Sequence, residues 1–345
     1  MFLSNYNRVV NVVVVGATGA VGQEILKVLE ERQFPVGQLR PCATSRSAGK
    51  QVIFRNQQYA VEETTPDSFT GMDIALFAGG AASKEFGPAA AEKGCVVIDN
   101  SSNFRLEPDV PLVVAEVNPE DVQWHQGIIA NPNCSTIIMV VPLKAIYDEA
   151  GVKRVVVSTY QAVSGAGMEA IDELTQQTKV ILEGGEYPPK VFAYPIAFNL
   201  IPHIDVFQEM DYTKEEWKMV KETCKILHAP DLAITATTVR VPVYRSHSEA
   251  VNVETHEKLS AGQAREVLAA FPGIIVVDDP AAKKYPMPLF CTHRDEVFVG
   301  RIREDNSLAN GLNFWVVADQ LRKGAATNAV QIAELVIKYN CLRGR

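Results

Sequence analysis

Apolar residues recur along this chain with two different periods, and the change between them marks its organisation. Residues 9–32 read VVNVVVVGATGAVGQEILKVLEER: an apolar run, a glycine-rich turn, then Val21, Ile25, Leu26 and Leu29 at helical spacing. This predicts strand, loop and helix. A second strand is expected over residues 38–43, and further apolar runs at 73–78, 95–98 and 112–115 alternate with small-residue or helical stretches such as SKEFGPAAAEKG. Such alternation predicts a mostly parallel sheet with helices on both faces. After Pro142 the texture changes. Residues 154–160 (RVVVSTY), 233–243 (AITATTVRVPV) and 250–255 (AVNVET) alternate apolar with polar, which predicts a sheet with one wet face, antiparallel in part. A last stretch, 313–338, carries Ala, Val and Ile at helical spacing. It is expected to form a long helix that returns to the first domain and completes its layer.

The length of 345 residues favours two domains. The expected division is 1–133 plus about 318–345 for one, and about 134–317 for the other. Apolar residues make up 47% and charged residues 21%, a globular composition. The formal charge of −8 argues against a nucleic-acid partner, although a few local cations can still hold a small anion. No run is apolar enough to suggest a membrane span, and the opening MFLSNYNRVV lacks the order of a signal peptide. A cytoplasmic location is expected. The six cysteines include no CxxC and no Cys/His pair at zinc spacing, so no metal site and no disulfide framework are expected.

Gly16-Ala17-Thr18-Gly19-Ala20-Val21-Gly22 lies directly between the first strand and its helix. Glycines there permit a tight turn and close backbone approach, so that a pyrophosphate can sit on free N–H groups at the helix start. The alternative is a tight turn with no ligand. An NAD site usually ends the second strand on an acidic residue; this chain instead has Ser45-Arg46-Ser47, whose cation and flanking hydroxyls suit a 2′-phosphate and favour NADP(H). A solvated basic loop is the plain alternative. Gly79 and Gly80, after the apolar run 73–78, offer a second close backbone approach or an ordinary turn.

Cys134 stands apart from the other five cysteines. It lies in Asn131-Pro132-Asn133-Cys134-Ser135-Thr136, ahead of the apolar IIMVVPLKAI. The capping chemistry of Asn and Ser puts Cys134 at a helix N-terminus, where the dipole favours a thiolate and backbone N–H groups can stabilise an oxyanion. A buried structural cysteine is the competing reading. A nucleotide fold and a helix-start cysteine together suggest thioester formation followed by hydride transfer.

From about Val9 to Lys338 the chain resembles the aspartate-β-semialdehyde dehydrogenase family, in its shorter bacterial branch. The resemblance is carried, in order, by GATGAVG (16–22), SRSAGK (45–50), NSSNFR (100–105), NPNCST (131–136), QAVSGAG (161–167), YPIAFNLIPHID (194–205), EEWKMVKET (215–223), VRVPVYRSHSE (239–249) and NFWVVADQLRKGAATNAVQIAE (313–334). It implies an α/β protein with a Rossmann-type parallel-sheet domain and an α+β substrate and dimerisation domain built on a mixed sheet. The implied activity is NADPH-dependent reductive dephosphorylation of L-4-aspartyl phosphate to L-aspartate 4-semialdehyde, reversible with phosphate, in the pathway to lysine, threonine and methionine. A homodimer, or a tetramer, is implied as well.

The same resemblance assigns roles. Cys134 is the nucleophile, His247 the general acid/base, and Gln161 orients the intermediate. Arg240 grips the α-carboxylate, and Glu215 or its neighbour Glu216 meets the ammonium. Arg105 and Lys218 hold the phosphate, with Asn100 on the loop of Arg105 and Asn133 beside the nucleophile. Thr18, Gly19, Ala20 and Val21 cover the pyrophosphate; Ser164, Gly165 and Gln320 lie near the nicotinamide and its ribose. No chemical position departs from the family pattern. Residues 178–192 lie where the branches vary. An N-acetyl-γ-glutamyl-phosphate reductase would share the Cys/His chemistry but would have no free ammonium for Glu215 to meet. A glyceraldehyde-phosphate dehydrogenase type is disfavoured by Arg46, and an inactive homologue by the presence of Cys134, His247 and Arg240 together.

Overall fold

The computed structural model describes residues 8–342. Most of the opening stretch MFLSNYNRVV, expected to carry no leader, lies outside the described residues. The chain divides into two compact units: one runs to Asn133 and resumes at Ala325, the other spans Cys134–Gly324.

The first unit is built from β1 (Val10–Val15), α1 (Ala20–Glu31), β2 (Val36–Ala43), a β3–β4 hairpin (Gln51–Phe54, Gln57–Ala60), β5 (Glu62–Glu63), β6 (Ile74–Phe77), α2 (Gly80–Glu92), β7 (Val96–Asp99) and β8 (Ile128–Ala130). Its sheet has the order β5-β2-β1-β6-β7-β8, with every pairing parallel. The near-continuous valine run of β1 reflects burial on both faces. Val10, Val12 and Val14 pack into a cluster with α1, while Val13 and Val15 face α2 through Ala75, Phe77, Ala90 and Ala91. The strand order reverses at β1, the switch point at which such sheets open a crevice for a ligand.

Residues 112–115 form no strand. Leu112 makes only an isolated bridge to Ala130, because side chains take the backbone groups that a ladder would need. Asn118 Oδ1 accepts the Val114 N–H and its Nδ2 donates to the Leu112 carbonyl, both at 2.9 Å, while Asn328 Nδ2 donates to the Val113 carbonyl at 2.9 Å.

The second unit comprises α3 (Cys134–Ala150), β9 (Val152–Gln161), α4 (Met168–Leu182), α5 (Lys214–Ile226), β10 (Ala233–Arg240), β11 (His247–Thr255), α6 (Ala261–Ala270), β12 (Ile274–Val276), α7 (Pro288–Cys291), β13 (Val297–Glu304) and β14 (Gly311–Ala318). Its sheet runs β10-β9-β11-β14-β13-β12, parallel at both ends and antiparallel between. The helix α3 is buried along nearly its whole length and packs on one face of this sheet. On the other face Ser158, Ala250, Asn252, Asn313 and Trp315 line a groove of about 510 Å³.

The expected long helix over 313–338 is two elements. Residues 313–318 (NFWVVA) belong to β14, paired between β11 and β13, as suits a run of aromatic and β-branched residues. Helix α8 (Thr327–Lys338) begins after the chain has re-entered the first unit. It packs Ala329, Val330, Ile332, Ala333 and Val336 into the cluster that holds α1. Among the described residues no helix is long and apolar enough to cross a membrane.

Candidate active site

In the first unit the glycine loop has the geometry of a cradle. Gly16 has φ +85°, the left-handed region that glycine adopts without penalty, and a Cβ added to Gly22 would lie 2.1 Å from the Gly16 carbonyl oxygen. Only glycine allows α1 to start this close to the turn. Gly19 caps α1 with no side-chain hydrogen bond and no acidic residue in the first turn, so the N-terminal dipole at Ala20 and Val21 faces outward. Gly79 likewise starts α2 without a side-chain cap, and its N–H atom lies 3.8 Å from a Cβ placed on Gly16. The two turns thus adjoin at the ends of neighbouring parallel strands. Ser45, Arg46 and Ser47 form a short turn at the end of β2 with Arg46 exposed, while Gly16 and Ala17 donate to the carbonyl of Cys42 in the same strand. These residues fit a nicotinamide dinucleotide. Arg105 is buried and donates to the carbonyls of Asn131 (2.9 Å) and Asn100 (2.8 Å). Asn133, also buried, is the last residue of this unit's first segment.

In the second unit α3 begins at Cys134, as the capping residues predict. The turn after β14 lies against it: a Cβ on Gly324 would meet the Cys134 Cβ at 3.0 Å. In the same unit, side chains from α5 and from the ends of β9, β10 and β11 converge, and the charge of Cys134 acts on Arg240 among them. Gln161 Nε2 donates to Glu215 Oε1 at 3.2 Å, and Lys218 Nζ pairs with Glu215 Oε2 at 2.9 Å and with Asp205 at 3.0 Å. Burial opposes the Lys218 charge, but Glu215 and Asp205 outweigh it and raise its pKa. Arg240 Nη1 donates to the Ala162 carbonyl at 2.7 Å. Burial lowers the pKa of this guanidinium, against the charges of Glu215 and Cys134. The Ala162 N–H donates to His247 Nδ1 at 3.0 Å, leaving Nε2 to carry the proton of the neutral ring. Burial and Arg240 hold His247 down to about 3. Gly165 backs this pair, since a Cβ there would lie 3.0 Å from Arg240 Nη1 and 3.3 Å from His247 Nε2. Gln320 Nε2 donates to the buried Ser164 beside it at 2.5 Å.

Glu215 and Glu216 separate cleanly. Glu216 accepts from the Thr213 N–H at 2.7 Å, closing the capping box of α5, and from the Thr238 N–H at 2.9 Å. Only Glu215 faces Gln161 and Lys218.

Two family models match the chain, and the histidine, the arginine and the Glu–Lys pair fall within the second. That described as semialdehyde dehydrogenase, NAD binding domain, matches residues 11–125; that described as semialdehyde dehydrogenase, dimerisation domain, matches 143–323. The aspartate-semialdehyde dehydrogenase of Aquifex aeolicus (strain VF5) is 59% identical over 332 residues, 95% of this chain and 98% of its own. The chain belongs to the aspartate-semialdehyde dehydrogenase family. Among solved aspartate-semialdehyde dehydrogenases, enzyme II of Vibrio cholerae complexed with ASA superposes with a TM-score of 0.94 at 48% identity, covering 96% of this chain and 99% of its own. That of Candida albicans with NADP superposes with a TM-score of 0.77 at 26% identity, covering 97% and 100%. As in the aspartate-semialdehyde dehydrogenases as a family, the chain is an oxidoreductase of amino-acid biosynthesis on a nicotinamide-binding fold.

Three participants escape motif reading. Ala162 contributes only its backbone N–H and carbonyl, which leave no trace in residue type. Glu249 lies two residues beyond His247 on β11, hence on the same buried face; its carboxyl has no hydrogen-bond partner, and burial together with Glu215 raises its pKa well above the usual carboxylate range. The third is Asp319, a fully buried acid at the end of β14. In HSE and ADQ the only sequence signal was an acid inside an otherwise apolar strand context.

Proposed function

We propose that the protein catalyses the NADPH-dependent reductive dephosphorylation of L-4-aspartyl phosphate, and its reverse with phosphate, through a thioester on Cys134. The observation that carries this reading is the cluster of Arg240, His247 and the Gln161–Glu215–Lys218 chain, with the helix-start Cys134 acting on Arg240. Each group answers one part of a phosphorylated amino acid. Arg240 offers its remaining donors to the α-carboxylate, as its planar fork permits. Glu215 meets the ammonium, while Lys218 and Arg105 take the phosphate.

Cys134 approaches the thiolate because the α3 N-terminus and the Arg240 cation both favour negative charge at sulfur. The sulfur lone pair forms the C–S bond, the acyl C–O bond to phosphate breaks, and phosphate leaves with the electron pair. The nicotinamide, when bound, supplies a hydride to the thioester carbon. His247 then serves as donor: with Nδ1 occupied by the Ala162 N–H, the proton sits on Nε2 and hydrogen-bonds the developing oxyanion. Collapse of that oxyanion returns the electron pair to sulfur and releases the aldehyde. Gln161 holds the oxygen and Glu215 in register.

Arg46 with Ser45 and Ser47 is proposed to select NADP(H) through its 2′-phosphate. Thr18, Gly19, Ala20 and Val21 cover the pyrophosphate, with Gly16 and Gly79 giving close approach; Ser164, Gly165 and Gln320 lie toward the nicotinamide. The first unit is thus the NADP-binding domain and the second the catalytic and dimerisation domain. A second copy is proposed to cover the groove around Trp315, giving a homodimer, and pairing of dimers would give a tetramer. The setting is the cytoplasmic route to lysine, threonine and methionine.

The deciding assay follows nicotinamide reduction with aspartate semialdehyde, with and without phosphate, with NADP+ or NAD+, and with N-acetylglutamate semialdehyde as competitor substrate. Phosphate-dependent NADP+ reduction with aspartate semialdehyde, lost in Cys134→Ala, is expected. Wild-type turnover in that variant would sink the thioester.

A further inference from the structure

Ser246, immediately before His247, has φ +74°, and His293 in the loop after α7 has φ +67°. Neither is a glycine, and the left-handed region is strained for both, so the surroundings must over-determine it. Both are held by the same dipeptide, Asp319-Gln320, at the end of β14. Asp319 Oδ2 accepts from Arg245 Nε at 2.6 Å and from the His293 N–H at 2.7 Å. Gln320 Oε1 accepts the Ser246 N–H at 2.8 Å, and the Ser246 hydroxyl meets Thr292 Oγ1 at 2.8 Å.

The other oxygen of Asp319 faces the opposite way. Oδ1 accepts from the Leu321 N–H at 3.0 Å and the Arg322 N–H at 3.4 Å, fixing the turn that brings Gly324 against Cys134. One buried carboxylate therefore holds the side chain of Arg245, two residues before His247, and the backbone of the turn that abuts Cys134. An ion with four donors in a dry site has little freedom, and rigidity of this kind is what reacting groups need.

We infer that Asp319 is a positioning residue for the reaction: it sets His247 through Arg245, and Cys134 through the 321–324 turn. The inference rests on the assignment of Cys134 and His247 as the reacting pair. Asp319→Asn keeps the shape but replaces one accepting oxygen by an NH2 group, which opposes the donors on that side. Steady-state kinetics with aspartate semialdehyde, phosphate and NADP+ should then give a kcat lower by about 10–100-fold with all three KM values within about threefold, since misplacement by an ångström costs that much. A stability role alone would lower Tm and leave kcat intact, and that result overturns the inference. Arg245→Gln, which removes the side-chain donor that links Asp319 to the segment of His247, decides the matter if Asp319→Asn does not fold: kcat should fall by about 3–10-fold with KM unchanged, and an unchanged kcat overturns the inference. Full turnover in Cys134→Ala would instead strike the reacting pair, a separate failure.

Discussion

Arg240 and His247 meet at the backbone of a single residue: Ala162 accepts from the guanidinium at 2.7 Å through its carbonyl and donates to the imidazole at 3.0 Å through its own N–H. The guanidinium and the imidazole are therefore placed by the backbone of one residue at the end of β9. Movement of either disturbs the other.

Arg240→Lys should be far from conservative. A lysine has no fork with which to reach both Ala162 and a carboxylate. We expect kcat/KM for aspartate semialdehyde to fall about 100-fold, equivalent to about 2.7 kcal/mol. Steady-state assays check this, and a loss below about threefold would contradict the shared geometry.

Glu215→Gln and Glu216→Gln should behave oppositely. Glu215→Gln removes the charge facing Lys218 and is expected to raise KM for aspartate semialdehyde at least tenfold with little change in Tm. Glu216→Gln weakens the α5 cap and the bond to Thr238, lowering stability by about 1 kcal/mol while KM stays near the wild-type value. Parallel kinetics and thermal melts on the two variants distinguish them; the reverse pattern would reassign the ammonium site.

Glu249 makes stability pH-dependent with a definite sign. Its native pKa lies well above 4.5 because of burial and the charge of Glu215, so the native state keeps a proton that the unfolded chain loses first. Its contribution is full below about pH 4.5 and is lost as pH rises toward the native value. Glu249→Gln should therefore hold its Tm better than the wild type between pH 5 and pH 8. Identical slopes in differential scanning calorimetry would show that the carboxyl is not held neutral.

Gly22→Ala tests the cradle. Its Cβ would lie 2.1 Å from the Gly16 oxygen and 2.8 Å from the Ala17 Cα, both backbone atoms, so the loop must move. NADP+ affinity by fluorescence titration should drop by at least tenfold, with a lower Tm. Unchanged binding would show that the loop does not hold the pyrophosphate.

Much of this was legible in the chain itself. The strand, glycine turn and helix at residues 10–31, the helix beginning at Cys134, and the parallel character of the first sheet follow from periodicity and turn chemistry, which act over a few residues. Two expectations failed where long-range partners intervened. Residues 112–115 are apolar enough for a strand, but Asn118 and Asn328 take their backbone hydrogen bonds. Residues 313–318 carry apolar positions that a helix could also use, but pairing with β11 and β13 on both sides makes them a strand.

The candidate site divides the same way. Residue type and local setting single out Cys134 as a reactive thiol and the Gly16–Gly22 loop as a nucleotide cradle, because helix ends and glycine turns are local features. The partnership of Cys134 with His247 entered through family resemblance, and local spacing carries no trace of it. Tertiary structure decided the rest: that Glu215 and not Glu216 faces Lys218, that Ala162 joins Arg240 to His247, and that Asp319 holds both Arg245 and the turn after β14. These relations depend on which strands lie side by side in the β10-β9-β11-β14 order. Strand order is set by the packing of whole faces against α3 and α5, a property of the assembled core that no short stretch of sequence encodes.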